Sequence, residues 1–152
     1  MTDSNTSPDK LSIIVYDGHF DKVHYALVMA SAAASIGRPV TFFFTMGACR
    51  VLAKAGDDGE AAWRSLPLSA GVGEAGQSGG ELDDSFAGQG IATFEELLEA
   101  CVLLEAKFMI CEMGLQAVGM KGVALRDDIP LEPGGVVTFL KDASKDGALI
   151  FI

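Results

Sequence analysis

The sequence predicts an α/β domain built on a doubly wound, parallel sheet of about five strands, flavodoxin-like in layout, with a glycine-rich insertion. Three observations lead there. Short β-branched or aromatic runs without polar alternation recur along the chain, the pattern of strands covered on both faces. Stretches with helical apolar spacing separate them, and strands alternating with helices imply parallel pairing through right-handed crossovers. At 152 residues the chain is long enough for one core without disulfides or a structural metal.

Leu11–Tyr16, closed by Asp17-Gly18, reads as the first strand. From Asp21 the spacing turns helical: Val23, Leu27, Ala30 and Ala34 share an apolar face, and the many alanines let the helix lie close to a sheet. Gly37 and Pro39 end it. Val40–Phe44 is a second strand, followed by a short helix through Cys49 to Lys54. Regularity returns at Thr93, which forms a capping box with Glu96 and opens a helix whose inward face carries Leu97, Leu98 and Cys101. Lys107–Cys111 is a third strand with a helix from Glu112 to Met120 after it. Val136–Lys145 reads as a last helix, and Ala148–Ile152 as a last strand. No repeat of solenoid period is present.

Residues 56–92 differ in kind. Nine of the 18 glycines fall there, among acidic and small residues. The expectation is a flexible insertion within a domain spanning 10–152, with one short helix around Glu60–Ser65 and anchors at Trp63, Leu66, Leu68, Leu82 and Phe86. Residues 1–9 are polar, lack the apolar core of a signal peptide, and read as a disordered tail.

Composition excludes several partners. A net charge of −10 argues against nucleic acid, which needs clustered Lys and Arg, and no apolar run is long enough for a membrane span. The apolar share is 49% before glycine is counted, against about 45–50% with glycine included. That excess points to a sheet covered on both faces and to a subunit interface. Three cysteines without a Cys-x-x-Cys fit a reducing cytoplasm.

Gly71-Val72-Gly73-Glu74-Ala75-Gly76 matches the dinucleotide pattern letter for letter. That motif works only between a strand and a helix amino terminus, and its flanks here read as loop, so the match is chance. Nucleotide or flavin binding therefore lacks its phosphate loop. His19 and His24 are five apart, off the spacing of one helical face. His24 reads as a surface residue, whereas His19 lies after the first strand, beside Asp17, at the edge where parallel sheets place their sites.

Cys111 is the strongest candidate for chemistry. It closes a strand just before a helix, where unpaired amides and the positive end of the dipole favour thiolate. The same residue also fits a small buried hydrophobe, and the residues alone leave both readings open. Cys101 reads as core, and Cys49 as packing.

Cys111-Glu112-Met113-Gly114-Leu115-Gln116-Ala117-Val118-Gly119-Met120 resembles the cysteine motif of the DsrE/DsrF/DsrH-like sulfur-relay proteins, in their peroxiredoxin-like subgroup. Val40–Thr45 is similar to that family's second strand and following turn, Pro133–Leu140 to the start of its final helix, and Ala148–Ile152 to its last strand. The resemblance covers about 10–55 and 93–152. It implies a DsrE-like fold, homo-oligomers that are trimers or hexamers, and a cysteine, Cys111, that carries sulfane sulfur as persulfide. It also implies a rhodanese or small sulfur-carrier protein as donor, and no metal or organic cofactor. Asp17, His19, Thr45, Glu112, Met113 and Gly114 are the expected site neighbours. The alternative is a non-enzymatic assembly or regulatory subunit in which Cys111 is structural.

Overall fold

The computed structural model describes residues 7–152. It places five strands, β1 (Leu11–Val15), β2 (Val40–Phe44), β3 (Lys107–Cys111), β4 (Leu131–Gly134) and β5 (Ala148–Phe151), in one sheet of order β4-β3-β2-β1-β5. Every neighbouring pair is parallel. The predicted α/β class with helices on both faces of a five-stranded parallel sheet is therefore what the chain forms. The helices are α1 (Phe20–Ser35), α2 (Gly79–Gly88), α3 (Phe94–Leu103), α4 (Glu112–Ala117) and α5 (Val136–Asp142), with 3₁₀ turns at Met46–Leu52 and Ala62–Ser65.

Strand order explains how the faces are covered. From β1 through β4 each crossover steps in the same direction, and a right-handed crossover then keeps its helix on the same side of the sheet. Only the last connection, β4 to β5, runs back. Accordingly the large core joins Ile13, Val15, Phe42, Phe44, Phe108 and Ile110 of the sheet to α1 and α3, with Leu115, Val118 and Met120 packed beside them. The opposite face holds a small cluster, Phe43, Met109, Cys111 and Phe139 with Ile14 against it. Its sole helix, α5, buries only Phe139, which lies 5.2 Å from Phe43 ring to ring.

A polar anchor fixes the far end of α5. Asp142 accepts hydrogen bonds from Lys10 Nζ at 2.7 Å, Thr41 Oγ1 at 2.6 Å and Lys107 Nζ at 3.2 Å. Partial burial on its own would raise this carboxyl, but those three donors outweigh it and hold Asp142 down at about 2.

Two elements depart from the sequence reading. β4 is a short edge strand whose Pro133 and Gly134 look like a turn. Proline is tolerated at an edge because no neighbour needs its missing N–H. Within 56–92, the short helix near Glu60–Ser65 is present as Ala62–Ser65, but α2 was not foreseen. Its start is a capping box: Ser78 Oγ accepts from Glu81 N–H while Glu81 accepts from Ser78 N–H. The segment is tied into the core as well. Trp63 stacks on Phe94 at 4.5 Å and Phe20 at 5.5 Å. Its Nε1–H donates to Glu95 Oε2 at 2.6 Å, and Arg126 grips the same carboxylate with two bonds. Buried Asp83 accepts the N–H of Phe94, tying α2 to the start of α3. The 56–92 segment is therefore tied to the core around Trp63 and along α2, while 56–61, 66–78 and 89–92 keep the loop character expected of the whole.

His24 is not a surface residue: it is buried, with Nε2 at 2.9 Å from the Ala92 carbonyl and its ring between Phe20 and Phe86. The expected tail lies mostly outside the described residues. Of its last three, Ser7 accepts a bond from Arg38 and Asp9 donates one to Asp146.

Trp63→Ala should cost about 3–5 kcal/mol in a denaturant melt, the usual range for a buried large aromatic. A loss below 1 kcal/mol would mean that residues 56–92 do not contribute to the core. Asp142 gives a pH test. Its folded value lies below the unfolded 3.8, so its contribution is full above about pH 4 and fades as pH falls towards 2. Asp142→Asn should cost about 1–2 kcal/mol at pH 7, the solvated rim of the group trimming the full effect. The gap between variant and wild type should close in melts at pH 2–3.

Candidate functional site

The last residue of β3 is also the N-cap of α4. At Cys111 the backbone is still extended (φ −85°, ψ 113°), and the side chain folds back so that Sγ accepts the N–H of Gly114 at 3.3 Å. This is the position Ser or Asp usually takes to cap a helix. Here the sulfur takes that role and satisfies one of the free amides of the first turn.

The seat depends on Gly114. A Cβ built on it would lie 2.5 Å from Thr45 Oγ1 and 2.7 Å from the Met46 backbone nitrogen. Both distances are far inside van der Waals contact, and one neighbour is backbone. Only glycine lets α4 lie against the corner where β2 turns into the Met46–Leu52 helix. Met46 itself takes a left-handed backbone (φ 49°), uncommon for a residue with a side chain.

A pocket of about 600 Å³ opens beside Cys111. Its walls come from two adjacent strand ends: Cys111, Glu112 and Met113 where β3 meets α4, and Pro133 to Val137 where β4 meets α5. This is the carboxyl edge at which parallel α/β sheets place ligands. The lining is largely apolar and contains no Lys or Arg. Cys111 is 2% exposed, so it contributes to the pocket wall while remaining buried. A Cβ on Gly135 would meet nothing within 4 Å, so the absence of a side chain there leaves the pocket its room.

The predicted neighbours divide into two groups. Glu112 and Met113 line the pocket, while Gly114 and Thr45 build the seat behind it. Asp17 and His19 form a pair of their own at the end of β1, two strands away. His19 Nδ1 lies 2.5 Å from Asp17 Oδ1, which also accepts the His19 N–H, and Lys22 stands 3.7 Å from Oδ2. Partial burial would raise the Asp17 carboxyl, but the His19 bonds and the Lys22 charge bring it below its ordinary value. Neither Asp17 nor His19 lines the Cys111 pocket, and no residue of 56–92 does.

The other two cysteines are core residues. Cys49 and Cys101 are fully buried, and burial pushes each thiol up to about 12. The Cys111 charge adds to that rise at Cys49. All three are free thiols. The residues that sequence reasoning left out of the site are Pro133, Gly134, Gly135, Val136 and Val137. Their segment was legible as the start of the last helix, but nothing in the sequence shows that it meets Cys111.

No family model matches the chain. Over 94% of its length it is 25% identical to the sulfur carrier protein DsrE2 of Allochromatium vinosum, covering 98% of that protein. It is 24% identical to the uncharacterized protein YrkE of Bacillus subtilis, with 94% of this chain and 96% of that protein covered. Among solved structures it is similar in fold to the ychN protein from E. coli, at a TM-score of 0.51 and 12% identity, with 94% of this chain and 99% of that one aligned. Distant kinship and shared fold support the DsrE-like family. Among the described residues no helix is long and apolar enough to cross a membrane.

Two substitutions separate seat from pocket. Gly114→Ala should lift α4 from the β2 corner and slow iodoacetamide alkylation of Cys111 while lowering the melting temperature. Gly135→Leu should leave the melt unchanged, because its backbone is ordinary and the space beside it open, yet block bulky maleimides more than iodoacetamide. Peptide-resolved labelling would check both, and equal labelling of wild type and Gly114→Ala would contradict the role given to the seat.

Proposed function

We propose that the chain is a sulfur carrier of the peroxiredoxin-like DsrE subgroup, a cytoplasmic protein that accepts sulfane sulfur on Cys111 as persulfide and passes it to a partner thiol. The observation that carries the reading is the capping geometry. Cys111 is the one thiol that combines a hydrogen-bond donor on sulfur with a pocket at the sheet's carboxyl edge. The distant likeness to a DsrE2 sulfur carrier supports it.

The exchange uses thiol chemistry alone. The Cys111 thiolate attacks the outer sulfur of a donor persulfide. The donor's S–S bond breaks, the donor departs as a thiolate, and Cys111 holds the outer sulfur. Attack on that sulfur by an acceptor thiolate repeats the step and returns Cys111 as thiolate. A lining without Lys or Arg, with Glu112 at its edge, suits a persulfide borne on a rhodanese or small carrier protein better than a free dianion such as thiosulfate. The carrier acts as a homo-oligomer, a trimer or hexamer, and needs no metal or organic cofactor.

The burial of Cys111 favours a second reading, a structural thiol in an assembly or regulatory subunit. Intact mass spectrometry separates the two. Wild type exposed to polysulfide should gain the mass of one sulfur atom, reversibly with dithiothreitol, and thiosulfate should load it far more slowly. Cys111→Ser should gain nothing. A wild type that never loads, or the same gain in Cys111→Ser, would overturn the carrier reading.

A further inference from the structure

The carboxyl edge that holds Cys111 also holds an arginine with nothing to neutralise it. The chain has 21 acidic residues, and they saturate two of its arginines. Arg64 pairs with Glu60 and Asp84, and Arg126 with Glu95 and Asp128. Arg38 bonds to Ser7. Among the described residues, the exposed Arg50 makes no ion pair and no side-chain hydrogen bond. It stands where β2 ends, beside the loop that follows β1. Arg50 Nη1 and Gly18 N lie 3.5 Å and 3.2 Å from the point that a Cβ on Gly47 would occupy. A Cβ on Gly18 would in turn lie 2.7 Å from the Gly47 carbonyl oxygen. Two bare glycine backbones thus touch and form a shelf, with the guanidinium beside Gly47 and the Asp17–His19–Lys22 group beside Gly18.

The acids of that loop are already engaged. Asp17 Oδ1 takes two N–H bonds from His19, and its Oδ2 faces Lys22 at 3.7 Å. Asp21 accepts the Ser69 N–H. At the thiol the sign is opposite: Glu112 is the one Asp, Glu, Lys or Arg that lines the pocket. We propose that this edge docks a cysteine-bearing segment of a partner protein whose thiol is flanked by bases and followed, about three residues away, by an acid. The bases meet Glu112, and the acid meets Arg50, whose planar fork suits a carboxylate.

The spacing follows from the sheet. Adjacent strands lie about 4.8 Å apart, so the corner between the ends of β2 and β1 stands roughly 5–10 Å from the end of β3. An extended segment laid across the strand ends covers that distance in two or three residues, at ~3.3 Å each. The net charge of −10 works against acids anywhere else on the surface. A lone unpaired cation at this edge therefore selects by the order of charges along the segment, and the wrong order sets acid against Glu112 and base against Arg50. The use of a thiol partner rests on the carrier reading; the preferred charge order does not.

Two synthetic peptides of one composition, Asp-Gly-Lys-Cys-Lys-Gly-Asp and Lys-Gly-Asp-Cys-Asp-Gly-Lys, differ in charge order and not in net charge. Each is activated as a mixed disulfide with thionitrobenzoate. The Cys111 thiolate attacks the peptide sulfur, the old S–S bond breaks, and coloured thionitrobenzoate leaves with its electron pair. Rates for the full chain are divided by those for mercaptoethanol, which removes the peptides' own difference in reactivity. Wild type should favour the first peptide about 3–5-fold at low salt, the reach of one or two exposed ion pairs, and lose that preference in high salt. Arg50→Glu should reduce the preference, and Arg50→Glu combined with Glu112→Lys should reverse it, a swap that a misfolded variant would not show. Alkylation of Cys111 by neutral iodoacetamide should be the same in wild type and Arg50→Glu. Equal rates for the two peptides on wild type, no release from either, or an unchanged preference in Arg50→Glu would overturn the inference. Polysulfide loading of the same samples keeps the two ideas apart. Loading without a peptide preference sinks the docking inference alone, and a preference without loading sinks the carrier reading alone.

Discussion

A right-handed crossover leaves a parallel sheet little freedom about which face each helix covers. In this chain three successive crossovers step the same way, so α1, α3 and α4 share one side with the large core, and only the final reversal delivers a helix to the other. That helix is seven residues long and buries one side chain. The rest of the molecule's character follows from this imbalance. One face is closed by aromatic packing around Phe20, Trp63 and Phe94. The other is held by Phe139 and the Asp142 anchor, leaving valines, leucines and aromatic edges uncovered.

Cys111 sits where these two regimes meet. Its strand position points it to the thinly covered face, among Phe43, Met109 and Phe139. Its place as N-cap turns the sulfur onto the amide of Gly114. A cysteine one residue earlier would face the large core, as Ile110 does, and would share the fate of Cys49 and Cys101, whose thiols burial pushes up to about 12. One residue later it would stand on the exposed first turn, without the capping contact. Strand parity and helix start together give a single position both shielded and addressable from the pocket.

Much of this was legible in the sequence, for physical reasons. β1, β2, β3 and β5 declare themselves because strands buried on both faces have no polar alternation. The α3 start declares itself through the reciprocal Thr93–Glu96 box, and the place of Cys111 through the change of period after Ile110. Two elements hid. In α2 the first turn is Gly79-Gly80 followed by acids, a composition read as loop, although the Ser78–Glu81 box carried the same signal as Thr93–Glu96. In β4 Pro133 and Gly134 mimic a turn, and only pairing with β3 makes them strand. The pocket wall from Pro133 to Val137 was out of reach because strand order, which brings β4 beside β3, is a tertiary fact. The Asp17–His19 pair was visible, but its separation from Cys111 by an intervening strand was not.

The account rests on Cys111 being the one thiol of this chain that the fold presents to chemistry. Peptide-resolved alkylation of the native protein, followed over time near neutral pH, tests that most directly. Cys111 should be modified first and fully, with Cys49 and Cys101 following only as fast as the whole protein unfolds. Modification of Cys49 or Cys101 ahead of Cys111, or of all three together, would contradict it.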